Sequence, residues 1–512
     1  MGLCDNREQI LFGAGRCRSP GKIVAQCCED KSCEISAVFR IMLMINAVTS
    51  STKQWAACLL AISLLGCASF QAKPITTAKT VASLEARTLD SPGLRDFITK
   101  NMGETRWPIK TWNLNYLTLA AFYYQPELDV ARAKLGIADA QVITAGMRPN
   151  PSLGFSAQQN TVEPKGVEPW GLFWNLGIPI ETAGKRGYRM KEAKHLSDSA
   201  RFDLASSTWN VYSRVRSSMV SLYAAKTEAD ILQLQVMSQR AMVRLLQNRF
   251  QSGEISLPEV TQAQITLQND LVALNDLQAR ENQARIELAA AIGITSLSGV
   301  TIDLEGISRI PKPNMLATQA IRKTALLNRS DILSALAGYA ASQNALQLEI
   351  AKQYPDIKLG TGYDWGQGWM LGLSLPLPVL NQNEGPIAEA RARRRQAAAT
   401  FTALEAKAVG EIDSALAAYQ ASDRKTAVVD KLLRHQEIDH AAMQSRFSVG
   451  EIDRLALAES DNTLLSAELA HLGAIVGKMQ ALGKLEDAVQ RPLFPSAPIP
   501  VIQPTDPRQE EQ

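Results

Sequence analysis

The sequence predicts a mainly α-helical chain with a smaller transmembrane β component, organised as an internal two-fold repeat. Two very long segments read as single helices. Four segments of roughly ten residues alternate as membrane strands do. One motif recurs at a fixed distance along the chain.

The helices come first. Gly184 to Gln251 and Pro386 to Ser448 contain no internal proline and are rich in Ala, Leu, Gln, Arg and Glu, all good helix formers. At 1.5 Å per residue each would be roughly 90–100 Å long, too long for a globular core, so they must pack as coiled-coil hairpins. Ser252-Gly253 and Val449-Gly450 place glycine where a helix stops and reverses. The return helices span about Pro258 to Ile292 and Arg454 to Val489.

The strands, about 151–160, 170–180, 355–365 and 368–379, each carry one apolar face. Trp170, Leu172, Trp174, Leu176, Ile178 and Ile180 share a face, with Gly171, Asn175 and Gly177 opposite. Ile357, Leu359, Tyr363 and Trp365, then Trp369, Leu371, Leu373, Leu375 and Leu377, repeat the pattern. Trp170, Trp174, Trp365 and Trp369 are half of the eight tryptophans, placed as an interfacial girdle requires. Four strands cannot close in lipid, so the protomer must contribute them to a shared barrel. A dimer would supply eight strands and a trimer twelve.

Duplication ties these elements together. Arg249-Phe250-Gln-Ser-Gly253-Glu254-Ile255 recurs 197 residues later as Arg446-Phe447-Ser-Val-Gly450-Glu451-Ile452. The same offset maps Ile178-Pro179-Ile180 onto Leu375-Pro376-Leu377. Earlier, Glu127-Leu128 corresponds to Asp331-Ile332 at an offset of 204, the extra residues fitting a longer first hairpin around Thr161 to Val167.

Composition narrows the function classes. With 46% hydrophobic and 21% charged residues, the chain is neither broadly disordered nor a polytopic helical membrane protein. A balance of 54 basic to 51 acidic residues argues against a nucleic-acid binder. All seven cysteines fall between Cys4 and Cys67, so the body has no disulfide scaffold, thiolate zinc site or thiol nucleophile. It also lacks HExxH, Walker-type and GxSxG motifs, and an enzyme reading has no residues to rest on. His435 and His440 stand five apart, off a shared helix face, and are not read as metal ligands. No cofactor is expected.

The N-terminal region reads as an address. Residues 56–66 form a short apolar run behind Lys53, ending in Leu64-Leu65-Gly66-Cys67, which resembles a bacterial lipobox. The resemblance implies lipidation at Cys67, with 42–66 as the signal peptide and 1–41 as an upstream start artefact. Residues 67–111 would form a lipidated arm with a short helix from about Pro92. The first repeat would span 112–310, the second 311–490, and a Pro-rich disordered tail 491–512.

Together the lipidated start, the paired hairpins and the paired tips resemble the TolC-type outer-membrane efflux factors from roughly Trp112 to Val489. Asn115-Tyr-Leu-Thr-Leu-Ala-Ala followed by Gln125-Pro-Glu-Leu-Asp-Val-Ala-Arg132 is similar to that superfamily's first helix. Glu181-Thr-Ala-Gly184-Lys185-Arg186 and Leu375-Pro-Leu-Pro378-Val-Leu-Asn381-Gln-Asn383-Glu-Gly385 resemble its cobalt–zinc–cadmium branch. The resemblance implies a homotrimer with a twelve-stranded barrel in the outer membrane of a Gram-negative bacterium and a helical barrel in the periplasm. It also implies a periplasmic adaptor and an inner-membrane RND-type pump as partners, with heavy-metal cations as cargo. Drug export or type I protein secretion would use the same fold; a periplasmic coiled-coil adaptor or structural lipoprotein is the alternative from another class.

Three residue sets follow. Arg249, Phe250, Gly253, Glu254 and Ile255, with Arg446, Phe447, Gly450, Glu451 and Ile452, are expected to dock the adaptor. Glu451, Asp453 and Glu459 would form acidic rings at the pore entrance. Lys185, Arg186, Arg391, Arg393 and Arg394 crowd helix N-termini, where cations are unfavourable, and are expected to meet anionic headgroups of outer-membrane lipid.

Overall fold

The computed structural model describes residues 70–103, 106–159, 170–308, 318–365 and 368–493. The signal-like segment, Cys67, the 161–167 stretch and the tail beyond 493 lie outside them. The chain divides into Met1–Thr76, described only at 70–76, and Thr77–Gln512, which holds every element below.

Four short helices open the second unit: α1 (Thr77–Glu85), α2 (Pro92–Met102), α3 (Leu114–Tyr124) and α4 (Pro126–Gly146). Ser91 caps α2, its Oγ accepting from Leu94 N–H, and Pro92 takes the first turn where no N–H is needed. The expected single first helix is two. Pro126 holds Gln125 in an extended conformation (ψ 116°) and ends α3 there. Gln125 Nε2 then donates to the carbonyls of Ala290 and Ala291, groups that a helix C-terminus leaves unpaired.

Next come β1 (Ser152–Gln159), β2 (Trp170–Ile180), α5 (Lys185–Gln251) and α6 (Leu257–Ile292), followed by the short α7 (Glu305–Ser308). The second copy supplies α8 (Thr318–Asn328), α9 (Ser330–Ala351), β3 (Ile357–Asp364), β4 (Gly368–Ser374), α10 (Glu384–Ser448) and α11 (Arg454–Val489). At 67 and 65 residues, α5 and α10 are each roughly 100 Å long. Each returns through its partner, α6 or α11, and α5 also packs on α11, joining the two hairpins.

One strand is shorter than expected. β4 ends at Ser374 rather than 379, because Pro376 and Pro378 offer no N–H to a ladder. The four strands form one antiparallel sheet in the order β1-β2-β3-β4.

The largest apolar core lies where the N-terminal helices meet the hairpin bases. Leu94 and Ile98 of α2, Leu117 and Phe122 of α3, Val215 and Leu222 of α5, and Leu288 and Ile292 of α6 bury themselves together. Through α2, the segment expected as an N-terminal arm contributes Leu94 and Ile98 to this core. None of the described helices is long and apolar enough to cross a membrane.

Candidate functional site

The sheet segregates its faces. Phe155, Trp174, Tyr363 and Trp369 form one cross-strand row, followed by Leu153, Leu176, Thr361 and Leu371, then Ile178, Leu359 and Leu373. Ring centroids lie 5.7 Å apart for Trp174 and Trp369, and 5.2 Å for Tyr363 and Trp369, in edge-on geometry. The opposite face holds Ser152, Ser156, Asn175, Lys358, Asp364 and Ser374 among glycines, with Phe173, Pro179 and Met370 as apolar exceptions. The apolar face is open to the surroundings: Phe155 is 78% exposed, Trp369 73% and Leu371 79%. No described helix covers it, and β1 and β4 leave two unpaired edges in the single chain. Of the expected girdle, Trp174, Trp365 and Trp369 gather around Tyr363. Trp170 stands apart, opposite Gln159 at the end of the β1–β2 ladder.

Below the sheet, the basic residues divide. Lys185 is buried, its Nζ donating to Tyr354 O (2.6 Å) and Asp356 Oδ1 (2.7 Å). Arg186 donates to Gly146 O at 2.6 Å; Arg189 bonds Ala145 O, Met147 O and Glu181. Arg186 and Arg189 complete the C-terminus of α4, where positive charge is favourable, which offsets their position at the start of α5. Lys185 and Arg186, both expected at lipid headgroups, thus find hydrogen-bond partners within the chain. Arg393 pairs with Glu389, one helical turn earlier. Arg391 is exposed and Arg394 half-buried.

At the other end of the long helices, the two turns share one geometry. Gly253 and Gly450 have φ of +78° and +77°, a region that L side chains rarely adopt. Gly253 N–H donates to Phe250 O and Glu254 N–H to Arg249 O; Gly450 and Glu451 repeat this with Phe447 and Arg446. A Cβ at either glycine would meet nothing within 4 Å, so both turns face open space.

The arginines then diverge. Arg446 bonds Glu451 of its own turn at 3.1 Å. Arg249 crosses to Asp453, the N-cap residue of α11, whose carboxylate also accepts from Ala456 N–H. The sequence reading missed this link. Its one signal was positional, since Asp453 matches Ser256 at the 197-residue offset and both cap return helices. The backbone N–H of Ala456 and the Arg249 guanidinium hold the Asp453 carboxyl below the usual carboxylate range. Of the expected pore acids, Glu451 and Asp453 are therefore paired, and Glu459 is exposed one to two turns into α11. Phe250 and Val449 are exposed beside the turns, while Ile255 packs inward.

Higher on the second hairpin, His440 pairs with Asp461 (2.6 Å) and His471 with Asp430 (2.9 Å). Both pairs join α10 to α11.

A family model described as outer membrane efflux protein matches residues 121–294 and 321–489, one segment in each copy of the repeat. The chain belongs to the outer membrane efflux protein family. The chain is 22% identical to the cobalt-zinc-cadmium resistance protein CzcC of Cupriavidus metallidurans, over 71% of its length and 86% of the relative. It is also 22% identical to the pyoverdine export outer membrane protein OpmQ of Pseudomonas aeruginosa, over 72% and 85%. The solved outer-membrane channel OprN shares the fold, with a TM-score of 0.60 and 20% identity over 74% of this chain and 89% of that one. The exposed apolar sheet and the long helical hairpins are thus the two parts of a fold that this chain shares with solved outer-membrane channels.

Proposed function

We propose that the protein is the outer-membrane channel of a tripartite efflux system. In this reading three copies close a twelve-stranded barrel, and their helical tips dock a periplasmic adaptor coupled to an inner-membrane RND-type pump. The observation that carries the reading is the sheet: an exposed apolar face, a glycine-rich polar face and two open edges. Such a sheet satisfies its edge groups in lipid only by joining other copies. Arg249, Phe250, Gly253 and Glu254, with Arg446, Phe447, Gly450 and Glu451, form the docking surface, supported by the open space above both glycines. Exposed Arg391 and its neighbour Arg394 lie near the headgroup level, and lipid on Cys67 anchors the mature chain.

Heavy-metal cations are the proposed cargo, supported by the similarity to CzcC and by the two strand–helix junction motifs. Equal identity to OpmQ favours a second reading, export of a siderophore-like organic molecule. The decisive experiment is the Gly253→Trp/Gly450→Trp double variant in a deletion strain. Resistance to cobalt, zinc or cadmium should be lost while the oligomer stays in the outer membrane; unchanged resistance would remove the tips from adaptor docking. Siderophore retention without metal sensitivity in the deletion strain would select the second cargo.

A further inference from the structure

The polar face of the sheet lies flat, and one charged side chain stands off it. Three side chains of that face lie over glycines of a neighbouring strand. A Cβ at Gly154 would collide with the Asn175 side chain; one at Gly177 would stand 2.9 Å from Ser152 Oγ, and one at Gly362 3.1 Å from the Phe173 ring. Lys358 has no such seat. Its cross-strand partners are Pro179 on β2 and Ser374 on β4. Its side chain comes within 4 Å of no Cβ position at Gly177, Gly360 or Gly372, the glycines around it, and it is exposed.

Charge on this face is sparse. Among its described residues only Lys358 and Asp364 are charged, and they stand at opposite ends of β3, ~20 Å apart along the strand. Lys358 lies where β3 begins, at the helix end of the sheet. The acids of that junction are engaged elsewhere: Asp356 with Lys185 and Glu181 with Arg189, each at 2.7 Å. The Lys358 ammonium has no hydrogen-bond or ionic partner among the described residues.

In the barrel proposed above, on which this inference rests, the polar face lines the lumen and three copies bring three lysines to one level. Twelve strands ~4.8 Å apart and tilted ~40° enclose a backbone radius of roughly 12 Å. The lumen axis at that level then lies within about two Debye lengths of every lysine, at ~8 Å each in physiological salt. Rings of basic side chains in a pore favour anions. We propose that Lys358 forms a cationic ring at the neck of the barrel, which favours anionic solutes and opposes hydrated cations. Metal then passes this level as an anionic complex rather than as a free cation, and a carboxylate-rich cargo meets a favourable field.

Reversal potentials of the full-length protein in planar bilayers, under a KCl gradient near ~0.1 M, test the ring. Lys358→Gln should lower the chloride-to-potassium permeability ratio at least about twofold, Lys358→Glu should lower it further, and Lys358→Arg should keep it. The differences should shrink in ~1 M salt, where the Debye length falls to ~3 Å. Equal ratios in all four proteins would overturn the ring. A second route alters the charge after assembly. The described residues contain no cysteine, so Lys358→Cys can be labelled in the finished channel, against the native protein treated alike. A sulfonate-bearing thiol reagent should lower the ratio and a quaternary-ammonium one should raise it; identical ratios after both would also overturn the ring. The two readings fail differently. Heat-modifiable trimers that conduct with unshifted ratios would sink the ring and leave the conduit, whereas protein with neither trimer nor conductance would sink both.

Discussion

Arg216 is a buried cation in the hairpin bases. It bonds Glu486 (2.6 Å), Asp487 (2.8 Å) and Gly483 O (2.8 Å) from within the protein. Burial opposes its charge, but the two acids outweigh burial; Glu486, just as buried, has its carboxyl pushed up by burial despite Arg216. Arg216→Met should cost ~3–5 kcal/mol, read as a lower denaturation midpoint, because it strands a buried carboxylate. Adding Glu486→Leu should restore most of the loss. At the tips the sign of the pH effect follows from Asp453. Its carboxyl is held below the usual range, so its contribution is complete above the ordinary value near ~4 and lost as pH falls through the lowered one. Spin-label distances between the tips should therefore widen only on strong acidification, and Asp453→Asn should widen them at every pH. The recurrence of Arg249 as Arg446 was legible in the sequence. Their different partners were not, because the Arg249 contact depends on how α5 lies against α11, 204 residues away in sequence.

Long helices declare themselves through uniform composition and glycine stops, which is why both ends of α5 and the C-terminal end of α10 fall within a residue or so of expectation. Boundaries set by proline were harder. Pro126 breaks what reads as one apolar helix, and Pro376 stops β4 although alternation continues through Leu377. Periodicity records which face a side chain takes, whereas a ladder also needs N–H donors. The intramolecular partners of the basic cluster at the head of α5 were hidden for a related reason. Its partners are the carbonyls of α4 and a carboxylate at position 356, which no local pattern reveals. In the sheet, a Cβ at Gly362 would stand 2.6 Å from Trp174 O and 3.1 Å from the Phe173 ring. Gly362→Ala should force β2 and β3 apart at ~1–3 kcal/mol, seen as loss of heat-resistant oligomer in outer-membrane fractions. Wild-type yield of that oligomer would mean the strands relax without cost.

For the whole molecule, the edges of β1 and β4 are unpaired in the single chain; if copies join there as proposed, the purified protein should run as a heat-modifiable trimer. Fatty-acid labelling should disappear in Cys67→Ser if that residue is the anchor. Alternation and duplication made the architecture readable at this scale; cargo was not, since the described residues hold no group of three or more His, Cys, Asp or Glu placed to bind a metal ion. The internal ion pairs add a different kind of consequence. Glu127–Arg214 in the first copy corresponds, position for position, to Asp331 and Glu411 in the second, which are bridged instead by Arg329. Arg216 likewise corresponds to Asp413, whose partner is Arg322, and the position matching Glu486 is Ala289. A chain made of two first halves would bury Arg216 against alanine. The two halves fit as lock and key, and neither can stand in for the other.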